Sequence, residues 1–338
     1  MSHRGVTLPK RQRGVALLVA LLVVALAVIL IAGLLDRGEL ALARTRNVLR
    51  SEQAEAYARG LEIYAAQVLV ATAGSNNGVD TNASPWALPL PPQPVPGGMI
   101  SATMRDRNGC FNLNNLSSAS GGNPGLWLPV FRNLLAALQI DPNAIAAPVV
   151  AWLDVAGAEG SSDNAYLALP VPYRPRHGLF VHVSELRLVQ GVDADIYARL
   201  APYVCALPPG TRINIDTASV PVLQSLGAGV SQAIAQELWQ NGAAQWTTAA
   251  FENQLKQLGV PIDVHLDSEI TDQSTYFMAR SEILLDAVPF TFHSLIERRI
   301  GGAGNGIHVL ERSRGADDAL VAPAPIAARH DHATTLDQ

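Results

Sequence analysis

The stretch from Val15 to Leu35 constrains this chain more than any other, because it is apolar throughout and holds no charged residue. About 20 residues of α-helix, each rising about 1.5 Å, cross the hydrocarbon core of a bilayer. A single membrane-spanning helix is therefore expected over residues 15–35. Arg4, Lys10, Arg11 and Arg13 precede it, whereas Asp36, Arg37, Glu39 and Arg44 follow with mixed sign. The positive-inside bias then keeps the N-terminus cytoplasmic and puts the main body beyond the membrane. A cleaved secretory signal is a competing reading, since Ala41-Leu42-Ala43 offers an A-x-A-like cleavage site. The apolar run is longer than the roughly 7 to 15 residues of such signals. A plain uncleaved anchor is a third reading.

Where the apolar run begins separates these readings. The basic leader Arg11-Gln12-Arg13-Gly14 abuts Val15-Ala16-Leu17-Leu18, and this resembles the class III leader of type IV pilins and type II secretion pseudopilins. The resemblance implies that residues 1–14 are removed by prepilin peptidase between Gly14 and Val15, leaving the membrane helix in place. Pilins usually carry a Glu at the fifth mature position, where an unpaired carboxylate in lipid is costly; here that position is Val19. Its absence is characteristic of one family of minor pseudopilins, general secretion pathway protein K, which the chain resembles over nearly its whole length.

The chain has 338 residues and a formal net charge of −5, with 49% hydrophobic and 16% charged residues. The part beyond the membrane, about 300 residues, is long enough for two small domains with cores of their own. Lys10 and Lys256 are its only lysines, which argues against a surface for nucleic acid or another polyanion. Cys110 and Cys205 are the two cysteines, and outside the cytoplasm they are expected to form a disulfide.

From Asp36 to about Ala73 there is no proline, and Ala54, Tyr57, Leu61, Tyr64 and Val68 recur at spacings of three or four. This reads as an apolar stripe on a helix that continues the membrane segment, with Arg50, Glu52, Glu55, Arg59 and Glu62 on the other positions. The stripe should pack on a sheet of its own domain and associate with partner helices. Pro85 to Gly98 reads as an irregular connection, and Met99 to Met104 as a strand. Cys110-Phe111-Asn112-Leu113-Asn114 closely resembles the segment by which protein K relatives lead into an inserted helical domain. Leu126 to Gln139, a second helix opening at Asp141-Pro142 and kinked at Pro148, Ser184 to Leu186, Asp193 to Leu200, Ser219 to Leu226 and Val230 to Trp239 all have helical patterning. Period-two patterning then returns in Thr275–Leu285, Val288–Ile300 and Ile307–Arg312.

The expected fold is α+β: a pilin-like long N-terminal helix packed on a small antiparallel sheet, with a large all-helical domain inserted between strands. Its parts are a leader (1–14), a transmembrane helix (15–35), the helix and first strand of the pilin-like domain (36–112), the helical insert (113–265), the returning strands (266–314) and a disordered tail (315–338).

The segment from Asp154 to Tyr166 is the best candidate for a small-ion site. Asp154, Glu159, Asp163 and Asn164 supply oxygen ligands in a Gly- and Ser-rich loop, the hard-donor chemistry that calcium takes. Protein K relatives carry an acidic calcium-binding segment here, after Trp152-Leu153-Asp154 and before Tyr166; their usual Glu is Ser162 in this chain. His177 and His182 lie five apart on a segment that reads as extended, so they face opposite sides and make poor joint ligands.

Leu186 to Leu200 and Leu223 to Leu238 each pass through Gly between two helical patterns, a helix-hairpin-helix appearance that raises an anchored DNA receptor as the alternative function. No Lys or Arg lies between Arg212 and Lys256 to neutralise phosphates. No nucleophile and base converge, so no enzyme activity is expected. The resemblance instead implies a minor pseudopilin at the tip of the type II secretion pseudopilus. It would sit in the bacterial inner membrane, its body periplasmic, helping to initiate pseudopilus assembly and the export of folded proteins. Its expected partners are other minor pseudopilins, prepilin peptidase and the inner-membrane secretion platform.

Overall fold

The computed structural model describes residues 12–73, 78–118, 121–154, 162–260, 267–301 and 305–315. The leader up to residue 11, Glu159 and residues 316–338 of the expected tail lie outside the described residues. The chain divides into two units, Met1–Tyr57 and Ala58–Gln338, and the first helix, α1 (Gln12–Thr72), runs through both.

In the first unit α1 is long and apolar enough to cross a membrane. Its side chains from Val15 to Leu35 stand exposed, with no protein packed around them, as expected of a surface whose solvent is lipid.

In the second unit, α1 is followed by β1 (Leu90–Val95), β2 (Gly98–Asp106) and β3 (Phe111–Asn112). Then come α2 (Pro124–Ala137), α3 (Pro142–Leu153), α4 (Ser162–Leu167), α5 (Ala194–Leu200), β4 (Val204–Cys205) and β5 (Ile213–Asn214). The chain continues through α6 (Val220–Ser225), α7 (Gln232–Trp239), α8 (Thr248–Gln257), β6 (Ile270–Thr271), β7 (Tyr276–Leu285), β8 (Val288–Arg299) and β9 (Gly306–Arg314). Five strands form one antiparallel sheet in the order β1-β2-β7-β8-β9. Helices α2 to α8 all fall between β2 and β7, neighbours in that sheet, so the helical module is an insertion.

The hairpins follow from their turns. Between β7 and β8, Asp286 and Ala287 both have positive φ, the twist that two-residue hairpins need. Between β1 and β2, Gly97 takes the left-handed position after Pro96. β1 itself corrects the reading of Pro85–Gly98 as irregular. Pro91, Pro92 and Pro94 are tolerated because β1 is an edge strand, where a missing N–H can face away from the sheet. Its register with β2 shifts between Leu90 and Gln93.

The module has a core of its own, in which Phe111 stacks on Phe131 and meets Trp127 edge-on. Asp141 caps α3 by accepting from the Asn143 amide, and α3 runs on through Pro148 to Leu153. Alongside the helices, the parallel bridge β3–β4 ties the start of the module to its middle, and β5–β6 ties its middle to its end. Beside β3 and β4, Cys110 and Cys205 form a disulfide.

Candidate interaction surface and metal site

Residues 58–72 of α1 present two different faces. Ala58, Leu61, Ala65, Leu69 and Thr72 are buried, and Ala65 and Leu69 pack with Trp86, Met104, Phe277, Ala279 and Ile296 of the sheet side. Three residues of this buried line, Ala58, Ala65 and Thr72, are small or polar, so its sequence signal is weak. The stripe read from sequence is therefore corrected: Ala54 and Leu61 are buried, Tyr57 and Val68 half-buried, and Tyr64 45% exposed. Residues buried within the chain are not a partner surface. The exposed apolar residues of this segment are Ile63 at 62%, Tyr64, and Val70 at 61%; Ile63 and Val70, seven apart, share the face opposite the sheet.

Glu62 also departs from the sequence reading, which placed it among the polar outer positions. It is buried at 6% exposure, receives Arg312 through both Nε (2.7 Å) and Nη2, and accepts from the Ser294 hydroxyl. Burial alone would raise this carboxyl, but the Arg312 and Ser294 hydrogen bonds outweigh it and hold it below the ordinary value.

The segment at the end of α3 and start of α4 is held by aromatic packing. Trp152 stacks on Phe180 and leans on Tyr166, while the Tyr173 hydroxyl donates to the Leu188 carbonyl at 2.6 Å. His177 is not on an extended segment, because its φ is +50°. Its Nε2 lies 2.7 Å from Asp163 Oδ1 and its Nδ1 lies 3.2 Å from the Asp154 carbonyl, so one imidazole ties together both ends of the 155–161 segment. His182, by contrast, caps the short 3₁₀ turn Val183–Leu188 in a capping box with Glu185. Carboxylate, carbonyl and amide oxygens of Asp154, Asp163 and Asn164 are the kinds of donor a hard cation takes. Among the described residues, no three His, Cys, Asp or Glu side chains come close enough to hold a metal.

Sequence reasoning missed the junction between the sheet and the helical module. Asp80, just after α1, pairs with the buried guanidinium of Arg298 on β8, accepts the Trp86 indole N–H at 3.0 Å and accepts the Ser274 amide. Asn214 on β5 donates to the Asp80 carbonyl and the Ser274 hydroxyl. Asn108 accepts the Thr275 and Tyr276 amides and donates to the Arg212 carbonyl. Asn112, Asn114 and Asn115 likewise satisfy the backbone of Leu207, Pro208, Gly210, Thr211 and Phe180. Asp216 is fully buried and accepts the Trp246 amide at 2.7 Å; burial, then the charge of Asp272, raises its carboxyl to about 7 despite that bond.

The helix-hairpin-helix reading fails at its first member, where Val183–Leu188 is a 3₁₀ turn and not an α-helix.

The Asn-rich segment opens the region that matches a family model, that of type II secretion system (T2SS), protein K, over residues 109–209. The type II secretion system protein K of Pectobacterium carotovorum subsp. carotovorum is 39% identical over 219 residues, spanning 61% of this chain and 67% of that protein. The protein K of Pseudomonas aeruginosa is 39% identical over 228 residues, 64% of this chain and 68% of that protein. That of Dickeya chrysanthemi is 30% identical and covers 90% of this chain and 98% of its own length. Among solved structures, a chain in the GspK-GspI-GspJ complex from the enterotoxigenic Escherichia coli type 2 secretion system matches with a TM-score of 0.66 and 31% identity, over 81% of this chain and 99% of that one. The inserted helical module, the five-stranded sheet and the long N-terminal helix therefore belong to a member of the type II secretion system protein K family.

Proposed function

We propose that this chain is the minor pseudopilin at the tip of the type II secretion pseudopilus, where it helps to initiate assembly and so the export of folded periplasmic proteins across the outer membrane. The observation that carries the reading is the outer face of α1, where Ile63, Tyr64 and Val70 remain exposed while the opposite face is committed to the sheet. The matched solved structure is itself a complex of three differently named chains, GspK, GspI and GspJ. Two other minor pseudopilins are accordingly the proposed partners, their helices lying along this face and burying its apolar surface. A helical module, with seven α-helices among its described residues, is also awkward to stack repeatedly beside the sheet, which favours one terminal position. The test is to purify the full chain in detergent with the two partner subunits and measure the mass of the assembly. A one-to-one-to-one complex is expected; a homopolymer of this chain, or no association with either partner, would refute the tip role.

The membrane helix is proposed to anchor the chain in the inner membrane, N-terminus cytoplasmic, after prepilin peptidase has cut between Gly14 and Val15. The inner-membrane secretion platform would then receive it. N-terminal sequencing after co-expression with the peptidase should read Val-Ala-Leu-Leu; a chain beginning at Arg44 would instead indicate a secretory signal.

Calcium is proposed to bind at Asp154, Asp163 and Asn164, with Glu159 as a further donor. When empty, such a site leaves its carboxylates repelling one another, so calcium should raise the unfolding temperature by mass action. Asp154→Ala with Asp163→Ala should abolish the shift. A shift that survives in the double variant would move the site elsewhere.

A further inference from the structure

The face of the sheet turned away from α1 carries a second, unrelated arrangement. Thr103, Arg280 and His293 form one row across β2, β7 and β8, and Arg105, Met278, Leu295 and Glu311 form the next across β2 to β9. Alternation along each strand puts both rows on one face, opposite Ser294 and Arg312. Together with Arg107 and with Val181, His182, Val183, Ala206 and Leu207 of the helical module, they line a cavity of about 100 Å³.

Three guanidiniums (Arg105, Arg107, Arg280) line this cavity, with the imidazoles of His182 and His293 beside them and Glu311 as the carboxylate of the lining. Arg280 has a counter-ion in Glu282 at 2.7 Å, outside the lining. The Arg105 side chain has no hydrogen-bond or ion-pair partner among the described residues. Burial, then the neighbouring charge of Arg280, pushes its guanidinium below the ordinary value. Val181, Val183, Ala206, Leu207 and Leu295 make much of the rest of the wall apolar, while Arg105 itself is exposed, so water screens part of the repulsion. An anion between the guanidiniums would relieve it, and the N–H forks of arginine suit the oxygens of a tetrahedral oxyanion.

We propose that this cleft between the outer face of the sheet and the helical module binds a small oxyanion of the phosphate class. Thr103 supplies a hydroxyl donor at its rim, Arg105 the principal charge, and Arg107 and Arg280 the flanking charges.

The probe is inorganic phosphate, added to the full chain in detergent. Equilibrium dialysis with labelled phosphate should show saturable binding of one ion per chain. Phosphate should also raise the unfolding temperature above that in chloride at equal ionic strength. Arg105→Gln should weaken binding roughly tenfold or more. Arg132→Gln, on the exposed side of α2, should leave it unchanged. In chloride neither variant should unfold at a lower temperature than wild type, which separates lost binding from lost folding. Displacement of the label by glycerol phosphate at lower concentrations than free phosphate would assign the oxyanion to a larger phosphate ester. Failure to displace would assign it to the free ion, and either result upholds the site. Absence of saturable binding, equal weakening by Arg132→Gln, or a thermal effect that follows ionic strength alone would overturn it.

Discussion

Where residues 58–72 of α1 lie on the sheet, the carboxylate of Glu62 meets the Arg312 guanidinium and a hydroxyl, and is held below its ordinary pKa. Where the sheet joins the helical module, Asp216 is still further withdrawn from water but is met by a backbone amide, with Asp272 the nearby charge, and its carboxyl rises to about 7. The first seam favours an ionised acid, and the second a protonated one. The same junction nonetheless holds the most deeply buried ion pair among the described residues, Asp80 with Arg298, their side chains only 3% and 2% exposed. A buried charge is tolerated when a partner is fixed in place, and burial alone decides nothing.

The largest effect should come from removing one partner at the junction. Asp80→Ala strands the Arg298 guanidinium away from water and should cost about 3–5 kcal/mol. It also removes the acceptor for the Trp86 indole and the Ser274 amide. Glu62→Ala should cost less, roughly 1–3 kcal/mol, because the Arg312 side chain is 34% exposed and can turn to water. Denaturant unfolding of the two variants checks the order; equal losses would remove the contrast between the seams.

A smaller effect is expected from pH. The folded-state pKa of Asp216 is raised above its unfolded value, so protonation favours the fold. That contribution is complete below about pH 4 and is lost as pH rises through about 7. The shift sets an upper bound of about 4 kcal/mol on the contribution. Wild type should therefore lose stability from pH 5 to pH 8 relative to Asp216→Asn, whose side chain does not titrate. Parallel pH profiles for the two proteins would show that Asp216 is ionised throughout. Glu62 has the opposite sign: its depressed pKa contributes stability above the ordinary carboxylate range that is lost on acidification, so Glu62→Gln should flatten the acid limb instead.

The sheet and the order of elements were legible in the sequence because period-two patterning over β7, β8 and β9 is long, and each strand is bounded by turn residues. β1 was hidden by its prolines, which the edge position excuses. The helix stripe was misplaced because Ala58 and Ala65 carry little hydrophobic signal, while Tyr57 and Tyr64 carry much and yet sit at its margin. The junction could not be read at all: Asp80 meets Asn214 and Arg298 across separations of 134 and 218 residues, and nothing local marks either pairing. Two cysteines in the chain, by contrast, leave one intrachain pairing, and Cys110 and Cys205 form it.

The smallest expected change in stability belongs to the substitutions that test the partner surface. Ile63→Asp with Val70→Asp alters exposed positions only, so it should move stability by no more than about 0.5 kcal/mol per site. The same pair puts two charges into the face proposed to meet the partner helices. The decisive measurement is the mass of the detergent-purified assembly formed with the two other minor pseudopilins, wild type against this double variant. The wild-type chain should give a one-to-one-to-one complex and the variant a folded, unassociated chain; a variant that assembles like wild type would contradict the proposed interface.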